Sequence, residues 1–324
     1  MPLIHSTYPA PFWLRNPYVQ SIWPSLFRKI SLPDPIRERI ATPDDDFLDL
    51  DWYKVSDRKL VIISHGLEGN STRSYVKGMV RAFTGAGVSA CAWNFRGCSG
   101  EMNRQFRLYH SAAWDDLETV IHHAIRQGYS SIGLVGFSLG GNMTLKYLGV
   151  QSDRVPPEVR AAMAISVPLD LTSSAIELDK PKNKLFMIRF LRMLGEKVKA
   201  KELQFPDRIS SAGYDQVKTF RAFDDRYTAP IHGFRDAEDY WNRASSRHEL
   251  HQINRPTLIF SSADDTFLAP PCFPVQQAER SDYLHLEMPA HGGHVGFIQP
   301  GPMYASEVRA LAFLLPHLKE GDPS

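Results

Sequence analysis

Three things are scarce in this sequence: a surplus of either charge, cysteine, and long uninterrupted apolar runs. Its 37 Lys and Arg nearly cancel its 36 Asp and Glu, so no global field recruits nucleic acid or an anionic membrane. The cysteines are Cys91, Cys98 and Cys272. They form neither a C-x-x-C pair nor an even framework, and the expectation is reduced thiols in a cytoplasmic protein. No run of about 18 apolar residues exists, which argues against a membrane-spanning helix. The opening MPLIHSTYPAPFWLRNPYVQ is broken by prolines and Arg15, so it lacks the apolar core of a secretory signal. Repeats and low-complexity tracts are missing as well.

What is present is enough apolar material for a large core, 43% of 324 residues, at a length where α/β folds form one unit with an insertion. Short β-rich runs alternate with helical stretches. KLVIISHG (59–66), GVSACAWNFRG (87–97), SIGLVGF (131–137), AAMAISV (161–167), PTLIFSSADD (256–265) and YLHLEMP (283–289) read as strands. Between them, 112–127 sets Trp114, Leu117, Val120, Ile121 and Ile125 on one helical face, and Gly128 closes that helix. The alternation predicts an α/β fold with a mainly parallel central sheet flanked by helices. Residues 1–46 read as an irregular arm packed on the core, its aromatics Phe12, Trp13, Tyr18 and Trp23 turned inward. Residues 47–167 and 251–324 read as the two parts of the core, and 168–250, where the alternation stops, as a helical cap.

The chemistry centres on GLVGFSLGGNMTLKYLG (133–149). A strand runs into Ser138, a helix leaves it, and glycines stand two positions away on either side. That is the pattern of a nucleophile elbow, in which side chains at 136 and 140 would strike neighbouring backbone. The plain alternative is Ser138 as a helix N-cap. A serine hydroxyl needs a base and a group that orients the base. In α/β-hydrolases these follow in the order Ser, acid, His, each after a later strand. SSADDTFLAP follows one strand and AHGGHVGF the next, both at the carboxyl end of the sheet. Asp264 and Asp265 are the candidate acids. The superfamily's usual spacing to a following proline favours Asp265, with Asp264 capping the turn. His291 and His294 are the candidate bases, and His294, directly before VGF, is favoured; the two as an HxxH metal pair lack an evident third ligand. The backbone amides of Leu139 and Leu67 are the expected oxyanion donors. His65 reads as a brace for the Leu67 loop, Arg96 as a residue that orders neighbouring loops, and Cys98 as buried.

NPYVQSIWP, HGLEGNSTRSYV, NFRGCSG, GFSLGGNMTLKYLG, PTLIFSSADDTFLAP and HGGHVGF together resemble the YheT-like branch of the α/β-hydrolase superfamily over nearly the whole chain. The resemblance implies a Ser138–Asp265–His294 triad, carboxylic-ester hydrolysis through an acyl-enzyme, and no metal or organic cofactor. Membrane-anchored relatives carry an N-terminal apolar span that this chain lacks. The expected partner is a small ester, acyl or lipid-like, with no nucleic acid and at most peripheral membrane contact. A thioesterase or amidase would use the same triad, and a lipid-binding protein with residual esterase activity is the other alternative. In 184–201, Phe186, Met187, Phe190, Leu191, Leu194 and Val198 recur at helical spacing beside Lys184, Arg189, Arg192, Lys197 and Lys199. Such a helix can lie on an anionic membrane; a lid packed on the domain beneath is the favoured reading.

Overall fold

Strands that are apolar at every position must be covered on both faces, and the computed structural model, which describes residues 3–319, shows both covers. The chain opens with β1 (Leu3–Ile4), α1 (Pro17–Phe27), β2 (Ile36–Ala41) and β3 (Phe47–Tyr53). Alternation then sets in: β4 (Lys59–Ser64), α2 (Ser74–Gly85), β5 (Ser89–Asn94), α3 (Trp114–Arg126), β6 (Ser131–Phe137), α4 (Leu139–Gln151) and β7 (Val159–Ile165). Between β7 and β8 (Thr257–Phe260) the path is helical. It runs through α5 (Leu171–Leu178), α6 (Lys184–Gln204), α7 (Phe220–Phe223), α8 (Ala229–His232) and α9 (Ala237–Ala244). After β8 come α10 (Val275–Glu279), β9 (Leu284–Glu287) and α11 (Ala305–Leu314).

The strands form one sheet in the order β1-β9-β8-β7-β6-β4-β5-β3-β2. Only the β2–β3 and β3–β5 pairings are antiparallel. Leu60 and Ile62 of β4 pack into one core with Leu134, Leu117 and Val120. Val61 and Ile63 point the other way, to Val135, Met79, Phe83 and Leu314. The period of two thus divides one apolar run between two helical layers. At the end of α3, Gly128 takes φ 98°, a left-handed closure suited to glycine. A third apolar cluster, built on Leu191, Leu194, Val198, Phe223 and Trp241, belongs to the helical excursion.

The first 46 residues are not an irregular arm. β1 pairs with β9 at one edge of the sheet, and β2 pairs with β3 at the other. α1 is a regular helix started by Asn16, whose side chain accepts from the Tyr18 and Val19 amides, with Pro17 in its first turn. The strand β3, FLDLDWY, is fully buried with two carboxylates in it. Arg37 and Arg39 of the neighbouring β2 hold Asp51 and Asp49 at 2.7 and 2.8 Å. Nor do all the early aromatics turn inward: Phe12, Trp13 and Trp23 are exposed.

Candidate active site

Ser138 occupies the step from β6 into α4. Its backbone sits at φ 51°, ψ −117°, a region that costs a non-glycine residue on the order of 1–3 kcal/mol. Neighbouring glycines make the turn sterically open. A Cβ on Gly136 would run into the Gly140 carbonyl, one on Gly140 into the His65 and Ser64 carbonyls, and one on Gly141 would sit 2.7 Å from Val167 Cγ2. Although Ser138 stands at the N-cap position, its side chain makes no capping bond. Its Oγ lies 2.9 Å from His294 Nε2. The other ring nitrogen, Nδ1, is 3.0 Å from Asp265 Oδ2 and 3.1 Å from Oδ1. The three residues named from the sequence therefore form one chain of contacts, with the Asp265 carboxylate fully buried. The tautomer follows: a carboxylate only accepts, so Nδ1 carries the proton and Nε2 is left to accept from the serine hydroxyl.

The rejected alternatives have work of their own. Asp264 accepts from the Gly293 amide at 3.0 Å and meets His291 Nδ1 at 3.1 Å, so it fastens the loop that carries His294. That loop is strained. Val295 and Phe297 stand at φ 63° and 50°, and Val295 is β-branched. Its amide donates to Ser166 Oγ, itself a residue at φ 52°. Three bonds from outside the sheet hold the loop in place. Ser21 Oγ accepts from the His294 amide at 2.8 Å, Gln20 Oε1 accepts from the Ile298 amide at 2.8 Å, and Tyr8 Oη donates to the Ile298 carbonyl at 2.6 Å. Gln20 is completely buried. These α1 residues were missed from sequence; the Asn16-Pro17 helix start was the signal available.

The Leu67 loop borders the same serine, since a Cβ on Gly66 would come 3.3 Å from Ser138 Cβ. The Gly66 amide donates to Tyr75 Oη at 3.0 Å and the Glu68 amide to Tyr109 Oη at 2.9 Å. Leu67 lies between them, and Leu139 is the first residue of α4, where amides have no partner within their own helix. His65 is a brace. The Phe95 amide donates to its Nε2, its Nδ1 donates to the Gly66 carbonyl, and burial lowers its pKa to about 3, which keeps it neutral. Arg96 is buried and binds Asp44, Asp46 and Asp116, tying its loop to the β2–β3 turn and α3.

One link was not legible beforehand. Lys197 of α6 reaches 3.1 Å from Glu68 Oε1 and 2.8 Å from Cys98 Sγ. Burial alone would push the lysine down, but Cys98 and Glu68 hold it above its ordinary value. Burial pushes the Cys98 thiol up to about 11. α6 is thus pinned by a buried ion pair directly to the Leu67 loop. Lys197→Met leaves the Glu68 carboxylate buried without its cation and is expected to cost about 3–5 kcal/mol in denaturant unfolding, most of it recovered by adding Glu68→Gln.

Ser138, His294, Leu67 and Leu139 open into a cavity of about 620 Å³. Phe190, Leu194, Phe220, Phe223 and Trp241 give it an apolar wall. His110, His232, Tyr240 and Asp224 add polar groups to the lining. Burial depresses both histidines, to about 3 and about 2, so they are neutral at physiological pH. Burial raises Asp224 to about 7, although Thr228 Oγ1 and Trp241 Nε1 donate to it. Between about pH 4 and 7 the folded protein therefore retains a proton that the unfolded chain releases. Asp224 erodes stability as pH rises through that window, by on the order of 1.4 kcal/mol per unit crossed. Melting of Asp224→Asn against the parent is expected to show the variant gaining relative stability from pH 4.5 to 7.5, and little difference at the acid end.

A nine-stranded, mainly parallel sheet with a serine elbow at the carboxyl end of a central strand defines a known class. Residues 59–300 match the alpha/beta hydrolase fold family, and the chain belongs to it. Among curated relatives, YheT of Escherichia coli (strain K12) is 33% identical over 290 residues, covering 87% of this chain and 84% of its own. Phospholipase ABHD3 of Homo sapiens is 29% identical over 318 residues, covering 92% and 75%. Monoacylglycerol lipase of Saccharomyces cerevisiae is 30% identical over 269 residues, covering 80% and 58%. Among solved structures, the Pyrococcus furiosus esterase Pf2001 matches with a TM-score of 0.59 at 17% identity, over 90% of this chain and 98% of that one, a likeness of fold. No helix among the described residues is long and apolar enough to cross a membrane.

Proposed function

We propose that this α/β hydrolase cleaves carboxylic esters with acyl or lipid-like groups through a Ser138–His294–Asp265 triad and an acyl-enzyme intermediate. The observation that carries the reading is the unbroken line from the Asp265 carboxylate through both nitrogens of His294 to Ser138 Oγ, ending in the cavity. His294 Nε2 takes the Ser138 proton as Oγ attacks the ester carbonyl, while Asp265 holds the tautomer and balances the imidazolium. The Leu67 and Leu139 amides receive the oxyanion. His294 then protonates the departing alcohol and activates the water that releases the acyl group. Nucleophile, base and oxyanion donors all come from the chain, so the chemistry calls for no cofactor. The free, buried cysteines fit a cytoplasmic setting.

The aromatic and aliphatic wall supports an acyl group as the buried part of the substrate. The relatives named phospholipase and monoacylglycerol lipase agree with that class. Turnover of p-nitrophenyl esters graded from acetyl to palmitoyl tests it, with Ser138→Ala as control. Efficiency is expected to rise from acetyl into the medium-chain esters as methylenes leave water for this wall, at up to about 0.8 kcal/mol each. A preference for acetyl, or for matched thioesters or amides, would remove the acyl-ester reading.

A further inference from the structure

The helix α1 is inside out. Its buried residues are Gln20 and Pro24, and the half-buried Ser21 lines the cavity. Its water-facing stripe is Val19, Ile22, Trp23, Leu26 and Phe27, spaced i, i+3, i+4, i+7, i+8, with Leu26 63% exposed. Trp13, 66% exposed, stands just before it, edge-on to exposed Phe12. α6 adds a second exposed apolar stripe, although its inner face is apolar too. Phe186, Phe190, Met193 and Leu194 face the cavity, while Leu185, 80% exposed, and Ile188 face water.

The two stripes border one opening. Ile22 of α1 and Arg189 of α6 are both exposed and cavity-lining, and the Tyr18 and Phe186 rings stack at 6.4 Å. The two segments that border this opening carry charge of one sign. Residues 1–33 contain no Asp or Glu, and neither do residues 180–195, which hold Lys180, Lys182, Lys184, Arg189 and Arg192. Lys180 and Lys182 bind Glu177, whereas Lys184, Arg189 and Arg192 have no carboxylate partner among the described residues. Lys29 and Lys77 line the same cavity. In a chain of net charge +1 this is a local concentration of cations.

The geometry points to a docking surface for an anionic lipid bilayer: the outer stripes of α1 and α6, with Phe12 and Trp13, sink into the headgroup boundary while the surrounding Lys and Arg meet lipid phosphates, and the cavity opens within the footprint. Contiguous exposed aromatic and aliphatic side chains mark an interaction site. Trp rings beside basic residues suit the interface between headgroups and acyl chains, and each Lys or Arg near an anionic surface adds attraction. A protein partner of matching acidity or a second copy of this chain would use the apolar stripe differently, without preferring lipid charge. The inference rests on the ester-hydrolase reading only for its use, because docking is measurable in a chain that turns nothing over.

Sedimentation with phosphatidylglycerol vesicles and with phosphatidylcholine vesicles, on the Ser138→Ala protein, tests it. The expected result is binding at least about tenfold tighter to phosphatidylglycerol, weakened by raised salt. The double variant Leu26→Asp/Leu185→Asp, and separately Arg192→Glu, are expected to lose about tenfold or more of that binding with the melting temperature unchanged. In the Ser138-containing protein the same changes leave turnover of a soluble acetyl ester unaltered. Equal binding to both vesicles, or binding indifferent to these substitutions, overturns the proposal. So does self-association in sedimentation equilibrium that the double variant abolishes, which would make the stripe a face between copies. Failure of ester turnover with vesicle binding intact would remove the enzymatic reading alone.

Discussion

Ser138→Ala is expected to lower ester turnover by roughly 10⁴- to 10⁶-fold with the fold intact. The hydroxyl is the only group removed, and its place lies at the wall of a preformed cavity. His294→Ala should fall to the same floor, and the double variant no lower, because the two act as one unit. Asp265→Asn keeps the shape but reverses the hydrogen bond that sets the His294 tautomer, for a loss of about 10⁴-fold. Ser138→Gly separates chemistry from folding. It is equally inactive, yet it removes a side chain from φ 51°, ψ −117° and is expected to raise unfolding free energy by about 1 kcal/mol or more. Steady-state kinetics with denaturant melts of the same samples check both halves. An active Ser138→Ala, or a destabilised Ser138→Gly, would contradict the assignment of role and of strain respectively.

Removing residues 1–27 is expected to reduce kcat by roughly 100-fold or more, the scale on which a misplacement near 1 Å acts. No residue of that segment belongs to the proposed triad. The effect acts through the His294 loop, which keeps Val295 and Phe297 at positive φ only while its surroundings hold it. Pro17, Gln20 and Ser21 supply much of that hold: a Cβ on Gly293 would strike the Pro17 carbonyl, and one on Gly296 the Gln20 carbonyl. Because α1 also lines the cavity, Gln20→Ala is the cleaner probe. It frees the Ile298 amide and the Tyr8 hydroxyl without touching the cavity wall, and kcat for a short soluble ester should drop about tenfold with KM little changed. A change in thermal stability alone, with kcat retained, would make α1 a structural brace and nothing more.

Much of this was readable in advance, and the exceptions have physical causes. Strands β4 to β8 announced themselves because burial on both faces leaves largely apolar runs, whereas β9, with His285 and Glu287 in it, showed only an alternating pattern. Ser138, Asp265 and His294 were findable because each ends or follows such a run. β3 was hidden because Asp49 and Asp51 interrupt it; only their pairing with Arg39 and Arg37, on a strand ten to fourteen residues earlier, makes burial tolerable. β1 is two residues long and borrows its conformation from β9. α1 is hidden by the prolines around it, and its orientation runs against the usual assignment of apolar side chains to the inside: the exposed residues include Trp23, and the polar Gln20 is the one with the buried task. Lys197 looked like one more charge on a basic helix. Its partner Glu68 lies 129 residues away, a distance that no periodicity spans.

A fluorophosphonate probe reports directly on whether an activated serine exists here and which one it is. Intact-mass and peptide mapping of the labelled protein should show one adduct, on Ser138. It should disappear in Ser138→Ala, and in His294→Ala it should form slower by several orders of magnitude. An unlabelled protein, or an adduct on any other serine, would contradict the site on which the proposed chemistry is built.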